Sequence, residues 1–169
     1  MISLFSKRKI IILILVLVTF CLYFVQLPQI FYVNVSASLP YGLYKIEKNP
    51  SWQKGAIVVF FLPEKVNFMK SRNWLSLTVP LLKPVVALEG DHCCIQNEEI
   101  KINGQKYGDI AKVDTDGLNL PQISFCRDLA EDEIWVGSNR IKNSFDSRYF
   151  GTIPKNTILA IIKPWLVLR

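Results

Sequence analysis

Two short stretches carry side chains able to do chemistry. In Ser36-Ala37-Ser38-Leu39-Pro40-Tyr41-Gly42-Leu43-Tyr44 the hydroxyl of Ser38 offers a nucleophile, and in Val79-Pro80-Leu81-Leu82-Lys83-Pro84-Val85-Val86-Ala87-Leu88 a single lysine stands inside an apolar run. A serine near pH 7 is a weak nucleophile until a neighbouring base takes its proton, and a lysine becomes that base when an apolar setting disfavours its ammonium form. The pair predicts a Ser38/Lys83 dyad. A third stretch, Gly137 to Gly151, is dense in hydrogen-bonding side chains, and the spacing of Asp146 and Arg148 permits an ion pair that would brace a loop. Each has an ordinary explanation when taken alone: a loop serine, a lysine snorkelling at a strand edge, a solvated turn. The weight comes from their occurring together.

His92, the sole histidine, offers a rival Ser/His pair. Placed beside Cys93 at the start of a predicted strand, it reads better as a structural or surface residue. One histidine and no paired C-x-x-C spacing give no metal site, and no organic cofactor is implied.

These side chains need elements to position them. With 169 residues, half of them hydrophobic, the chain has room for one membrane element and one domain that buries its own core. The net charge is +6, of which Lys7-Arg8-Lys9 supplies half. The remaining charge, about +3, gives no basic stripe of the kind that tracks phosphates, so nucleic acid is not an expected partner. Ile10 to Leu27 is almost uninterrupted Ile, Leu, Val and Phe, roughly 27 Å as a helix and close to the hydrocarbon thickness of a bilayer. The basic cluster before it places the N-terminus in the cytoplasm and the rest outside. A cleavable signal peptide is the competing reading, but the apolar run is too long and the small triplet Ser36-Ala37-Ser38 too distant. The expected organisation is a cytoplasmic tail over 1–9, an anchor over 10–28 and an extracytoplasmic domain over 29–169, with a small excursion around 97–130. Cys21 is an apolar filler of the anchor. Cys93, Cys94 and Cys126 fall where disulfides persist, and one of the adjacent pair is expected to join Cys126.

Gln29 to Leu39 alternates as an extended segment, and at about 3.6 Å per residue Ser38 stands no more than about 40 Å from the bilayer. Leu43 to Ile46, Ala56 to Leu62, Val85 to Leu88, His92 to Gln96, Ile100 to Ile102, Glu133 to Val136 and Thr157 to Ile162 read as strands, with Asn103-Gly104 as a turn. Pro63 to Leu77 has weak helical spacing. Asp109 to Pro121 reads as an exposed excursion and the stretch from Gly137 to Gly151 as loop. Short strands punctuated by Gly and Pro predict an all-β ectodomain behind one N-terminal transmembrane helix. Trp165 and its neighbours, past Lys163-Pro164, are suited to the lipid interface.

Ser38-Leu39-Pro40-Tyr41-Gly42, Lys54 to Phe60, Lys83 through Gly90-Asp91, and Ser144-Phe145-Asp146-Ser147-Arg148-Tyr149-Phe150-Gly151 resemble, in order, the boxes of the type I signal peptidase (leader peptidase) family. The resemblance implies a membrane-bound serine endopeptidase on an all-β fold. By motif, Ser38 is its nucleophile and Lys83 its general base. Ser36 joins the Ser38 backbone N–H in the oxyanion hole, Ser144 orients the lysine, and Asp146 with Arg148 forms a structural pair. Housekeeping leader peptidases carry Ser-Met-x-Pro, whereas this chain has Ser38-Leu39-Pro40 followed by Gly42 and Tyr44. That shorter form resembles the TraF-type peptidases of conjugative transfer systems, which mature a pilin and in some cases close it into a ring. The implied partner is a membrane-tethered pre-pilin or other preprotein, alongside the lipid bilayer and components of a conjugation or type IV secretion machine. The implied location is the inner membrane, with the catalytic domain periplasmic. A general signal peptidase for secreted preproteins, or a catalytically dead anchored assembly factor, are the alternatives.

Overall fold

The computed structural model describes residues 4–25, 30–63 and 79–168, with side chains over 9–20 in the first of these. It divides into two compact units, Met1–Ile30 and Phe31–Arg169. The first holds one helix, α1 (Leu4–Val25). Among the described residues no helix is long and apolar enough to cross a membrane. The expected anchor over 10–28 extends past the described side chains, and the weak helical spacing expected over Pro63 to Leu77 falls almost entirely on 64–78, outside the described residues.

The second unit is mostly β. Its strands are β1 (Phe31–Asn34), β2 (Gly42–Ile46), β3 (Ile57–Phe60), β4 (Leu81–Ala87), β5 (His92–Gln96), β6 (Glu99–Ile102), β7 (Gln105–Asp109), β8 (Phe125–Asp128), β9 (Glu133–Val136), β10 (Ile153–Pro154) and β11 (Ile158–Val167). A single helical turn, α2 (Ser147–Phe150), interrupts the last third. Among the described residues there is a sheet ordered β1-β2-β11-β3-β4-β9-β10 and a second ordered β7-β6-β5-β8. Neighbours pair antiparallel.

Each face of the larger sheet has its own apolar cluster, and strand register decides which side chain joins which. Leu82 pairs with Val59, and both lie with Leu39, Tyr44 and Ile162 in the smaller cluster. Lys83, one residue on, pairs with Val58 and points to the opposite face, where Val58, Phe60, Val85, Trp135 and Phe150 build the larger core. The two-residue period of a strand therefore drives a lysine into apolar surroundings because its neighbour must face the other core.

Several expectations change. The chain does not stay extended to Leu39: β1 ends at Asn34 and the backbone bends over Ser36–Leu39. Leu39 is buried in the smaller cluster, and Tyr44 Oη donates to the Pro40 carbonyl at 2.8 Å, so the bend is anchored on both sides. Gly42 sits at φ 138°, where a Cβ would stand 2.2 Å from the Leu166 carbonyl oxygen; only glycine fits where β2 meets β11. The last strand continues through Lys163-Pro164 to Val167 with a register shift between Pro164 and Leu166. β3 pairs with it only as far as Ile162, so a proline beyond that point removes no ladder bond on the β3 side. The excursion around 97–130 contributes β6, β7 and β8 to the second sheet, and within Asp109 to Pro121 both Ile110 and Leu120 are buried. Gly137 to Gly151 is not all loop, since it contains α2, every residue of which is buried.

Cys94 is the partner of Cys126. The two face each other directly across β5 and β8, with Cα atoms 3.9 Å apart, while Cys93 points the other way into the larger core. Burial pushes the Cys93 thiol up to about 12, which leaves it inert. The bridge closes a separation of 32 residues, and replacing Cys94 and Cys126 by serine is expected to cost about 2–4 kcal/mol in urea denaturation.

Candidate active site

The bend after β1, the middle of β4 and the segment leading into α2 meet at one cleft of about 600 Å³. Ser36, Ser38, Lys83 and Ser144 all line it, and Leu82, Val113 and Phe145 contribute apolar wall. Ser38 is 4% exposed, Lys83 5% and Ser144 1%. Lys83 Nζ donates to Ser144 Oγ at 2.9 Å. Ser38 Oγ and Ser36 Oγ share a hydrogen bond of 3.1 Å, and among the described residues no hydrogen bond joins Ser38 to Lys83.

Burial pulls the Lys83 amine down from 10.5 to about 8, against the nearby Asp146 carboxylate, which favours the ammonium; the Arg148 guanidinium adds to the depression. Relative to an ordinary lysine, the neutral amine at pH 7 is enriched roughly 300-fold. The cleft thus holds a hydroxyl and an amine able to take a proton near neutrality.

Asp146 and Arg148 build the frame behind it. Arg148 Nε and Nη2 donate to the two Asp146 carboxylate oxygens at 2.9 Å each, a bidentate pair with side chains 3% and 0% exposed. The same carboxylate caps α2 by accepting from the Arg148 backbone N–H at 3.2 Å, and it accepts from the Ser138 N–H at 3.1 Å. Arg148 Nη2 also donates to the Ser138 carbonyl at 2.6 Å. Ser147 Oγ accepts from the Val136 N–H at 3.0 Å and ties α2 to β9. Ser144 precedes this cap by two residues, so the ion pair fixes where its hydroxyl stands under Lys83.

Two buried residues escaped the sequence reading. Ser138 donates through Oγ to the Ser38 carbonyl at 2.6 Å, which links the frame to the bend carrying Ser38. Asn34 closes β1 and makes hydrogen bonds to three residues of that bend, Ser36, Leu39 and Pro40. The signal for Asn34 was a polar residue at the end of an alternating strand two positions before Ser36; for Ser138, its place in the polar stretch beginning at Gly137.

His92 does not line the cleft. It is half exposed on β5, with Nδ1 2.6 Å from Asp128 Oδ1. Its Nε2 lies 3.7 Å from Cys126 Sγ, so His92, Cys94 and Cys126 cluster within 4.8 Å. With the two sulfurs bonded to each other, the cluster offers a single imidazole, itself held by Asp128, and does not fit a metal ion.

A buried serine, a partly deprotonated lysine and a bracing Asp/Arg pair thus stand together on a β scaffold. The chain matches the family described as signal peptidase, peptidase S26, over residues 4–166, and it belongs to that family. It is related to TraF proteins. It is 31% identical over 145 residues to a plasmid transfer protein TraF of Escherichia coli, covering 79% of this chain and 81% of that one. It is 28% identical over 141 residues to a conjugal transfer protein TraF of Agrobacterium fabrum, covering 78% and 80%. A crystal structure of a signal peptidase I from Enterococcus faecalis aligns at 18% identity and a TM-score of 0.39, over 68% of this chain and 98% of that one.

Proposed function

We propose that this protein is a membrane-anchored serine endopeptidase in which Ser38 and Lys83 act as a dyad to remove the leader from a pre-protein, a conjugative pilin precursor in the first instance. The observation that carries the reading is the Lys83 amine, buried in the same cleft as Ser38, hydrogen-bonded to Ser144 and depressed to about 8. Lys83 takes the Ser38 hydroxyl proton as the oxygen attacks the scissile carbonyl, then returns it to the leaving amine. The Ser38 backbone N–H and the Ser36 hydroxyl donate to the tetrahedral oxyanion. After cleavage at the leader junction the acyl-enzyme holds the leader, and water releases it as an acid; a ring forms only where a cut at the pilin's C-terminal end leaves the pilin's own carbonyl on Ser38 and its free amino group displaces the serine.

The anchor is 10–28, with 1–9 in the cytoplasm and 29–169 as the periplasmic peptidase domain. Support for a lipid-facing edge comes from the catalytic unit: Val33 on β1 and Val35 just past it, with Trp165 and Leu166 on β11 and Leu168 just past its end, are exposed, and the Phe31 and Trp165 rings lie 4.9 Å apart. Such an edge holds the cleft where a membrane-tethered substrate is presented.

Membranes carrying the full chain are to be incubated with a pilin precursor and with a generic secreted preprotein. Cleavage of the first alone is expected. Equal cleavage of both makes the protein a general signal peptidase, and precursor maturation that persists in Ser38→Ala makes it an assembly factor without proteolysis. The mass of the mature pilin, lower by one water if closed, separates the ring from the acid.

Ser144→Ala removes the only side chain on which Lys83 Nζ rests among the described residues. The amine is then free to turn from Ser38, and the cleavage rate is expected to fall about 10- to 150-fold, the cost of one hydrogen bond to a charged group. Single-turnover cleavage by the variant checks this.

A further inference from the structure

In the proposed reaction the Ser36 hydroxyl donates to the oxyanion, and its surroundings assign where that proton rests before attack. Asn34 is 4% exposed. Its Nδ2 faces the carbonyl oxygens of Ser36, Leu39 and Pro40 at 2.8, 3.1 and 3.0 Å. A flipped amide would set its oxygen against three carbonyls, so the orientation is fixed. Oδ1 is therefore the atom that faces Ser36, 2.8 Å from the hydroxyl and 3.2 Å from the backbone N–H. An amide oxygen only accepts. The single Ser36 hydroxyl proton goes to Asn34, and Ser36 Oγ is left to accept from Ser38 Oγ across 3.1 Å.

We propose that Asn34 is a positioning residue of this site, setting the direction of the Ser36 hydroxyl and through it that of the nucleophile. In the free enzyme the chain of donors runs from Ser38 to Ser36 to Asn34, which turns the Ser38 hydroxyl proton toward Ser36 and away from Lys83. When Ser38 turns to give its proton to Lys83, Ser36 loses its donor and its own proton swings toward the developing oxyanion. Asn34 Oδ1 is not orphaned by that swing, because the Ser36 N–H still reaches it. The bend itself does not move, since Nδ2 keeps hold of its carbonyls. Asn34 thus supplies a hydroxyl that is parked before attack and released during it, with no rearrangement of the backbone that carries Ser38.

This inference rests on the peptidase reading, and the experiment separates the two. The full chain in detergent is assayed on internally quenched extended peptides with a small residue before the scissile bond, as wild type, Asn34→Ala, Ser36→Ala, the double variant and Ser38→Ala. Asn34→Ala is expected to lower kcat about 10- to 30-fold with KM within twofold, the loss of a preorganised donor to the oxyanion. In the Ser36→Ala background the same substitution is expected to cost less than threefold, because the residue through which it acts is gone. An Asn34→Ala enzyme as fast as wild type overturns the proposal, and so do losses that multiply in full. Should Asn34→Ala fail to fold, Asn34→Leu, of nearly the same shape with Oδ1 removed and no cavity left, carries the same cycle with the same two overturning results. A Ser38→Ala protein that cleaves at the wild-type rate removes the peptidase reading itself, and this inference with it.

Discussion

Ser38→Ala and Lys83→Met are each expected to abolish precursor cleavage, by roughly 10⁴- to 10⁶-fold in kcat, the scale of losing one member of a nucleophile–base unit. The two losses do not multiply, because either substitution dismantles the same proton transfer. For the wild type, kcat/KM is expected to rise with pH along a limb whose midpoint is about 8, the position to which burial draws the free enzyme's Lys83. A limb centred near 10.5 would mean that the amine is solvated as an ordinary lysine and would remove the proposed base.

The same depression appears in stability, with a definite sign. In the unfolded chain Lys83 titrates near 10.5 and in the folded chain near 8. Between these values the unfolded state binds more protons, so folding stability rises with pH across that window. Below pH 8 both states are charged and the folded protein bears the whole penalty of a buried ammonium, about 3 kcal/mol for a group 5% exposed. Lys83→Met is thus expected to be inactive yet more stable than wild type at pH 7, with the advantage shrinking as pH is raised from 8 toward 10.5. Urea denaturation of both proteins at pH 7 and pH 10 checks this. The site keeps a cost in stability that the sequence displays openly, as one charge in a run of Leu, Pro and Val.

That open display is why Lys83 was legible and other residues were not. A lysine among apolar neighbours violates a local pattern, and violations of pattern can be read from a single sequence. Ser138 and Asn34 violate nothing: both are polar residues at strand ends, where polar residues are ordinary. Their importance comes from burial against Ser36 and Ser38, and for Ser138 from a contact 100 residues away. The fold divides along the same line. β3, β4 and β9 are apolar runs and announce themselves. β7, Gln105–Asp109, and β8, Phe125–Asp128, have weak strand composition and become strands through their partners, one by hairpin closure at Asn103-Gly104 and the other by pairing Cys126 with Cys94. The choice between Cys93 and Cys94 likewise needed the register, which fixes what faces the core and is not written in the spacing of the cysteines.

Arg148→Ala is expected to be the most destabilising single substitution in the frame of the site, about 3–5 kcal/mol. The guanidinium is 3% exposed and answers a carboxylate that is fully buried, so its loss leaves Asp146 charged, desolvated and without its main partner. It also frees the Ser138 carbonyl, which accepts from Arg148 at 2.6 Å, and Ser138 in turn holds the Ser38 carbonyl at 2.6 Å. Activity should therefore fall by more than the folded fraction accounts for. A double variant, Asp146→Leu with Arg148→Met, separates the two consequences. Removing both charges takes away the uncompensated carboxylate and is expected to recover most of the lost stability, since apolar replacement of a buried pair is often neutral or favourable. Cleavage is not expected to recover with it, because the cap of α2 and the two hydrogen bonds that carry the frame to Ser138 are still missing. Chemical denaturation beside single-turnover cleavage on all three proteins tests the point. A double variant restored in both stability and rate would show that the pair is only a fold brace, and that the placement of Ser38 and Ser144 depends on other contacts.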